Sequence, residues 1–356
     1  MKAIVLRTKE DLIVEDVPKP EPGSGEVLLK VTDCGICGSD IRYFHGENPW
    51  AQHTLGVHKP NPDNIIPGHE VAGVVAEVGE GVDPALIGKR MGVLCFKVDE
   101  TCPWCRHDMR HICPNTVHLG HGAGQHGKKY YYGGMAEYVP TWANHCYELP
   151  DSITNEQAAM LDPLCVAIHA INYCGTFPGE SVVVIGAGVV GLCAIQVARA
   201  VGCTRILAAD VNDQHLAVAK HLGADVTVNV DREDLNKAVM DHTDGNGAWL
   251  VADSVGYPLA KSLPLVIRGG RLSLLAVKDH EETISTLLLA GERKVMTSAN
   301  FDYPEFTEGI DLLASGRVNV DPMITHRFPI DQGVEAFRVA ESKEGGAIKV
   351  MIKPSA

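Results

Sequence analysis

Basic residues are in the minority in this 356-residue chain: 31 lysines and arginines stand against 45 aspartates and glutamates, a formal net charge of −14. Such a surface repels the phosphates of nucleic acid and of anionic lipid, so neither is expected as a partner. No apolar run approaches the roughly 20 residues that cross a bilayer, so no membrane span is expected. The opening stretch, MKAIVLRTKEDLIVED, acquires charge too early for a secretory signal. Internal repeats, low-complexity tracts and long like-charge blocks are also missing. Cysteine is not scarce, but the eleven present are odd in number. That argues against a disulfide framework and for a reducing, cytoplasmic setting. Cys165, Cys174, Cys193 and Cys203 sit among apolar neighbours and read as core.

What is present is organised around residues 181–210. Val182 to Ile185 form a short apolar run of strand type, and Gly186-Ala187-Gly188-Val189-Val190-Gly191 follows at once. An apolar helical pattern from Leu192 to Val201 stops at Gly202, and a second short run, Ile206 to Ala209, ends on Asp210. Strand, glycine turn, helix, strand and acid occur in the order a dinucleotide site requires. Gly186 permits the tight turn, Gly188 lets the backbone approach a pyrophosphate, and Gly191 lets the helix pack on the strand. Free N–H groups at the helix start face the phosphates. Asp210, about twenty residues on, can hold a ribose 2′-hydroxyl. Val211, Asn212 and Asp213 follow it, with no Arg or Lys to receive a 2′-phosphate, which favours NAD over NADP.

Residues 1–152 alternate short apolar runs with Gly and Pro, the pattern of a mostly antiparallel β domain. Two polar inserts interrupt it, His45 to Pro67 and His118 to Gly134; long irregular loops in a compact domain often carry function. From 153 to 299, helical and strand stretches alternate as in a doubly wound parallel sheet, with a helix expected over Leu259–Ile267 and a strand over Arg271–Val277. Residues 300–356 are too short to fold alone and are expected to pack back on the N-terminal β domain.

Cys34-Gly35-Ile36-Cys37-Gly38-Ser39-Asp40, Gly68-His69-Glu70 and Asp162-Pro163 offer the thiol, imidazole and carboxylate donors of an open catalytic zinc site. Taken alone, Cys34 and Cys37 also fit a redox pair or plain core residues. Together with their surroundings these motifs carry a resemblance. Gly68, His69, Glu70, Gly73 and Gly79 match the Gly-His-Glu-x-x-Gly-x5-Gly zinc signature of medium-chain alcohol and polyol dehydrogenases. The Cys34–Asp40 stretch, Asp162–Ala170, Leu313–Val318 and Ile324–Pro329 match the same family in order. The chain resembles that family over essentially its whole length, in its sorbitol, threonine and butanediol dehydrogenase branch.

The resemblance implies an α/β protein with a GroES-like β-rich catalytic domain and a Rossmann domain. It implies a catalytic Zn²⁺ on Cys37 and His69, with Glu70 as a third or exchanging ligand. Asp162 stands where sorbitol dehydrogenases have Glu and threonine dehydrogenases have Asp, and either binds zinc or holds a zinc-bound water. Asp40 would fix the His69 tautomer, Ser39 would relay the substrate proton, and Tyr43 would line the substrate pocket. On the cofactor side, Gly186, Gly188, Val190 and Gly191 would hold the NAD pyrophosphate and Asp210 the ribose. His215 would flank the adenosine, Leu275 and Val277 the nicotinamide amide, and Lys349 the pyrophosphate.

Two positions depart from the family. Arg42 replaces the histidine at the outer end of the proton relay, and a guanidinium cannot shuttle protons. In the structural zinc lobe, Cys102, Cys105 and Cys113 keep three of four cysteine positions while Asp99 stands at the first. A second, structural Zn²⁺ on one Asp and three Cys is expected, with Cys95 as a substitute ligand. A thioredoxin-type reading of Cys102-Pro-Trp-Cys105 lacks the strand and helix it needs. His107, His111, His118, His121 and His126 are expected to be solvated loop residues without a metal role, and His45 and His58 to overhang the substrate. The function implied is zinc-dependent hydride transfer between NAD and a secondary alcohol of a polyol, sugar derivative or cyclitol by a cytoplasmic homodimer or homotetramer. An L-threonine or 2,3-butanediol dehydrogenase and a zinc-free reductase of the same superfold are the alternative enzymes. A silent NAD-binding sensor is the alternative of a different class, and would bind NAD without hydride transfer.

Overall fold

The computed structural model describes residues 1–124 and 127–355. Contacts divide the chain into two compact units. The first comprises Met1–Asp162, Asp302–Ala314 and Ile324–Ala356, the second Pro163–Phe301 and Ser315–Met323.

In the first unit the strand Glu26–Ile36 is central. Its Val27, Leu28, Leu29 and Val31 are fully buried, as β-branched and aliphatic side chains on a packed sheet should be. It pairs antiparallel with Glu70–Val78, Tyr138–Trp142 and Lys349–Lys353. The C-terminal strand therefore lies beside an N-terminal one, with Val350 opposite Ile36. The sheet runs Ile324–Pro329, Lys349–Lys353, Glu26–Ile36, Glu70–Val78, Arg90–Val93, Cys146–Glu148. Two small hairpins accompany it, Lys2–Thr8 with Asp11–Asp16 and Phe96–Lys97 with Val117–His118.

The second unit is an α/β sheet of six parallel strands. Their order is Val226–Asn229, Arg205–Asp210, Ser181–Ile185, Ala248–Asp253, Val266–Leu274, Lys294–Thr297. This is the doubly wound order with the glycine turn following the strand that starts the winding. Val183, Ile185, Leu207 and Val251 belong to its core. The helix expected over 259–267 stops early. Leu259–Ser262 is helical, Leu263–Leu265 is a 3-10 turn containing Pro264, and the strand begins at Val266. Proline lacks the N–H that a continuing helix needs.

Two short segments join units other than those the composition shift implied. Residues 153–162 group with the first unit, where Arg90 Nη1 donates to Ile153 O at 2.9 Å and to Asn155 Oδ1 at 3.2 Å. Ser315–Met323 groups with the second, tied by Asn319 N donating to Gln196 Oε1 at 2.7 Å. Among the described residues, no helix is long and apolar enough to cross a membrane.

Candidate metal centre and dinucleotide turn

The strand Glu26–Ile36 ends as Cys37 caps the helix Gly38–Phe44. Asp40 fixes this corner: its Oδ2 accepts from Cys37 N at 2.8 Å and its Oδ1 from Gly68 N at 3.2 Å. The residue before His69 is thereby tied to the corner that carries Cys37. Ligand atoms of Cys37, His69 and Glu70 all lie within 4.8 Å of one another. A thiol, an imidazole and a carboxylate at that spacing suit Zn²⁺ with a coordination position left open. Burial disfavours an imidazolium at His69, yet the Asp40 carboxylate and the Cys37 thiol raise its pKa to about 10. The surroundings are thus built for positive charge.

Glu70 begins the strand Glu70–Val78 and packs against Gly35. A Cβ at Gly35 would sit 1.9 Å from Glu70 Oε2, so only glycine fits there. The Glu70 carboxylate is held by Lys349, whose Nζ lies 2.6 Å from Oε1 and 3.0 Å from Ile36 O. Lys349 is only 2% exposed. An ammonium so deeply buried requires its partner, which corrects the expectation that it serves a pyrophosphate. Asp162 lies outside the three-residue group; its Oδ2 accepts from Cys95 Sγ at 3.1 Å. Ser39 Oγ is 3.4 Å from His69 Nε2. Tyr43 is buried, its hydroxyl donating to Asn48 Oδ1 at 3.2 Å. Cys34 is fully buried and desolvation raises its pKa well above the usual thiol value, as for a core residue.

Two histidines that the sequence reading placed in solvent belong here. His118 and His121 are 4% and 7% exposed, and their rings stack at 3.9 Å. His121 Nε2 lies 3.0 Å from His69 Nδ1. Burial, and then the charge on His69, lower the His118 pKa to about 3; burial, and then His118 and His69, lower that of His121. They come from a glycine-rich insert without periodicity, so no pattern marked them. The one available signal was His121 between Gly120 and Gly122, both at positive φ, which let the chain turn inward. His107 is exposed and His111 partly buried, while His126 lies outside the described residues. His58 is exposed near Gln52. His45 is engaged by Glu10 and Glu341 at 3.3 and 2.5 Å. Arg42 binds Glu47 at 2.7 Å, His53 at 3.2 Å, and Gln52.

Asp99, Cys102, Cys105 and Cys113 form a second group within 4.8 Å. Cys102 Sγ is 3.4 Å from Cys105 Sγ and 3.8 Å from Cys113 Sγ. Two sulfurs at ~2.3 Å from one tetrahedral ion would be about 3.8 Å apart, so the spacing fits Zn²⁺. The Asn115 amide and the N–H groups of Cys102 and Thr101 hold the Asp99 carboxyl well below the usual range and keep it anionic. Cys95 sits with Asp162 and is 3.6 Å from His118 Nε2, not in this lobe, which removes it as a substitute ligand.

In the second unit the strand Ser181–Ile185 leads through Gly186 (φ +98°) to the helix Val189–Val201, capped by Gly188 with no side-chain partner. A Cβ at Gly191 would lie 1.8 Å from Gly186 O, whereas Gly188 faces open space. That space beside unpartnered first-turn N–H groups fits a pyrophosphate. Asp210 ends its strand beside the turn, with Oδ2 accepting from Ala187 N at 2.6 Å and Oδ1 from Asn212 N at 2.9 Å. Val190 lies in the first helical turn, and His215 is buried in the helix Asp213–His221. Leu275 and Val277 are half-buried just beyond the strand Val266–Leu274.

Known proteins share this arrangement of sequence. A family described as alcohol dehydrogenase GroES-like domain matches residues 23–151, and one described as zinc-binding dehydrogenase matches 189–315. Sorbitol dehydrogenase of Gallus gallus is 32% identical over 99% of this chain and 96% of its own. L-threonine 3-dehydrogenase of Pyrococcus horikoshii is 34% identical, covering 98% of each chain. Among solved structures, one described as a short chain alcohol dehydrogenase from E. coli CFT073, complexed with NADH, has a TM-score of 0.88 at 26% identity over 99% of both chains.

Proposed function

The chain belongs to the zinc-dependent medium-chain dehydrogenase family, and from that premise we propose that it oxidises a secondary alcohol of a polyol, sugar derivative or cyclitol with NAD. The observation that carries the reading is the grouping of Cys37, His69 and Glu70 within 4.8 Å. Cys37 and His69 would hold the catalytic zinc, with Glu70 or Asp162 available as a further ligand. Zinc supplies Lewis acidity, which lowers the pKa of a bound oxygen group into the neutral range. Ser39, 3.4 Å from His69 Nε2, stands to take the substrate hydroxyl proton. Arg42 cannot carry that proton onward, since its guanidinium is always charged and is bound by Glu47 and Gln52. Tyr43 gives the substrate side an aromatic wall.

NAD supplies the hydride acceptor. Gly186, Gly188, Val190 and Gly191 would hold its pyrophosphate, and His215, Leu275 and Val277 its two ends. Asp210 would bind the adenosine ribose and repel a 2′-phosphate. Asp99, Cys102, Cys105 and Cys113 would hold a structural zinc. We assign 1–152 and 300–356 to the metal-holding domain and 153–299 to the dinucleotide domain, except that 153–162 go with the former and 315–323 with the latter, as their contacts group them. We assign the protein to the cytoplasm, where eleven unpaired cysteines are stable, and to a homodimer or homotetramer.

The test is a polyol panel, with L-threonine and 2,3-butanediol included, offered with NAD⁺ to the zinc-loaded protein at mildly alkaline pH while NADH absorbance is followed. Turnover of a polyol secondary alcohol supports the reading. Preference for L-threonine or butanediol selects the alternative, and activity in zinc-free protein selects the reductase.

A further inference from the structure

Val211, Asn212 and Asp213 put no cation behind Asp210 in the sequence, yet the fold brings one there from further along the second unit. The strand Arg205–Asp210 lies beside Val226–Asn229, with Asp210 opposite Asn229 in a parallel register. Val230 N donates to Asp210 O at 3.1 Å, and the chain then turns as Arg232 N donates to Asn229 O at 3.0 Å. Arg232 thus follows the end of the strand next to the one that Asp210 closes. Its guanidinium is gripped by Asp213: Nη2 donates to Oδ1 at 2.6 Å and Nη1 to Oδ2 at 2.9 Å. Asn229 completes the corner, its Nδ2 donating to Asp213 Oδ1 at 2.8 Å and to Val211 O at 2.9 Å.

This pair does little for the fold. The Arg232 and Asp213 side chains are 63% and 60% exposed, and an ion pair so solvated can open without unfolding anything. Its grip has another consequence. The planar fork of a guanidinium takes a carboxylate or a phosphate through the same pair of N–H groups, so Arg232 held by Asp213 has that fork occupied. NAD and NADP differ at the ribose 2′ position, where NADP carries a phosphate. Asp210 is fixed at that position, with Oδ2 accepting from Ala187 N and Oδ1 from Asn212 N. Adjacent strands stand about 4.8 Å apart, a gap that an arginine side chain released from Asp213 can cross. Asp231 and Glu233 flank Arg232 in the chain, and Glu233 Oε1 accepts from Asn229 N at 3.0 Å, so the corner stays acidic even without Asp213.

We propose that Asp213 is a second specificity-determining residue for the cofactor: by holding Arg232, it keeps from a 2′-phosphate the guanidinium that the fold brings beside Asp210. Discrimination against NADP then has two parts, the charge of Asp210 and the capture of Arg232. The inference rests on the dinucleotide reading of the glycine turn. Its test is isothermal titration of the zinc-loaded full chain with NAD⁺ and NADP⁺, and with adenosine 5′-phosphate and adenosine 2′,5′-bisphosphate as half-cofactor probes. Asp213 opens the helix Asp213–His221, whose cap is Asn212, so Asp213→Ser leaves the cap in place. It should tighten NADP⁺ and the bisphosphate roughly three- to tenfold and leave NAD⁺ and the monophosphate within about twofold. The gain should shrink as ionic strength rises. Arg232→Met should not tighten NADP⁺, and the double variant should return to the wild-type preference. An unchanged ratio of NADP⁺ to NAD⁺ affinity in Asp213→Ser would overturn the inference. So would a gain that survives in the double variant, because it would come from removing a negative charge alone. Either result in protein that binds NAD⁺ overturns this inference only; wild-type protein that binds neither dinucleotide overturns the dinucleotide reading along with it.

Discussion

The two sulfur-and-carboxylate clusters of the first unit are built in opposite ways. In the lobe, the four groups come from residues 99–113, and the thiols face one another with Asp99 already anionic. In the other, Cys37, His69 and Glu70 come from a helix cap, a loop and a strand start, and each is bound to something further out. Lys349 grips Glu70, His121 meets His69, and Asp40 holds the backbone of Cys37. The first pattern closes four ligands around an ion, as a structural zinc requires; the second leaves a position free for chemistry. Local sequence is enough for a closed site. An open one depends on a shell drawn from across the fold.

Cys37→Ser should separate the two most sharply. It is expected to cost at least about a thousandfold in kcat/KM, about 4 kcal/mol of barrier, with NAD binding and the thermal melt retained. Full activity would remove Cys37 from the metal site. Lys349→Met leaves the buried Glu70 carboxylate without its cation and should destabilise the fold by roughly 3–5 kcal/mol in urea unfolding. A change below 1 kcal/mol would mean that the outer shell is not structural. Cys113→Ser should lose one zinc per chain and about 2 kcal/mol or more of stability, with the surviving folded fraction still turning over substrate. Loss of both metals would show that the sites are not independent.

A control outside both clusters has the smallest effect. Glu156 accepts from Arg327 at 2.7 and 2.8 Å and lies 2.5 Å from Lys353. Arg327, with Lys353 assisting, lowers its pKa to about 2 from an ordinary value of 4.5. A depressed folded-state pKa contributes stability that is complete above 4.5 and is lost as pH falls toward 2. After solvent screening this is about 1 kcal/mol. Wild type should exceed Glu156→Gln by that amount at pH 7, and the gap should close below pH 4.5. A gap constant with pH would refute the ion-pair account.

The same contrast explains what the sequence made legible. Cys102, Cys105 and Cys113 were readable because their spacing is local, and the glycine turn because strand, Gly186 and helix are consecutive. The parallel sheet followed from strand runs alternating with helical ones. Lys349 was misassigned because its partner is Glu70, far away in the chain, and pairing across a sheet leaves no trace in local pattern. His118 and His121 lay in an insert with no periodicity, where composition alone cannot tell a solvated histidine from a buried one. Cys95 was kept only as a substitute for Asp99 in the lobe, and the fold sets it against Asp162 instead, a pairing distant in sequence. The helix after Leu259 was overextended because its apolar run continued through Pro264 into a strand.

The central claim is that Cys37 and His69 share a zinc ion while a second ion sits in the Asp99 lobe. Anomalous diffraction at the zinc edge from crystals of the zinc-loaded protein tests it directly. Two peaks are expected, one about 2.3 Å from Cys37 Sγ and ~2.1 Å from His69 Nε2, the other amid Cys102, Cys105 and Cys113. A catalytically active crystal form with no peak at Cys37 and His69 would contradict the account.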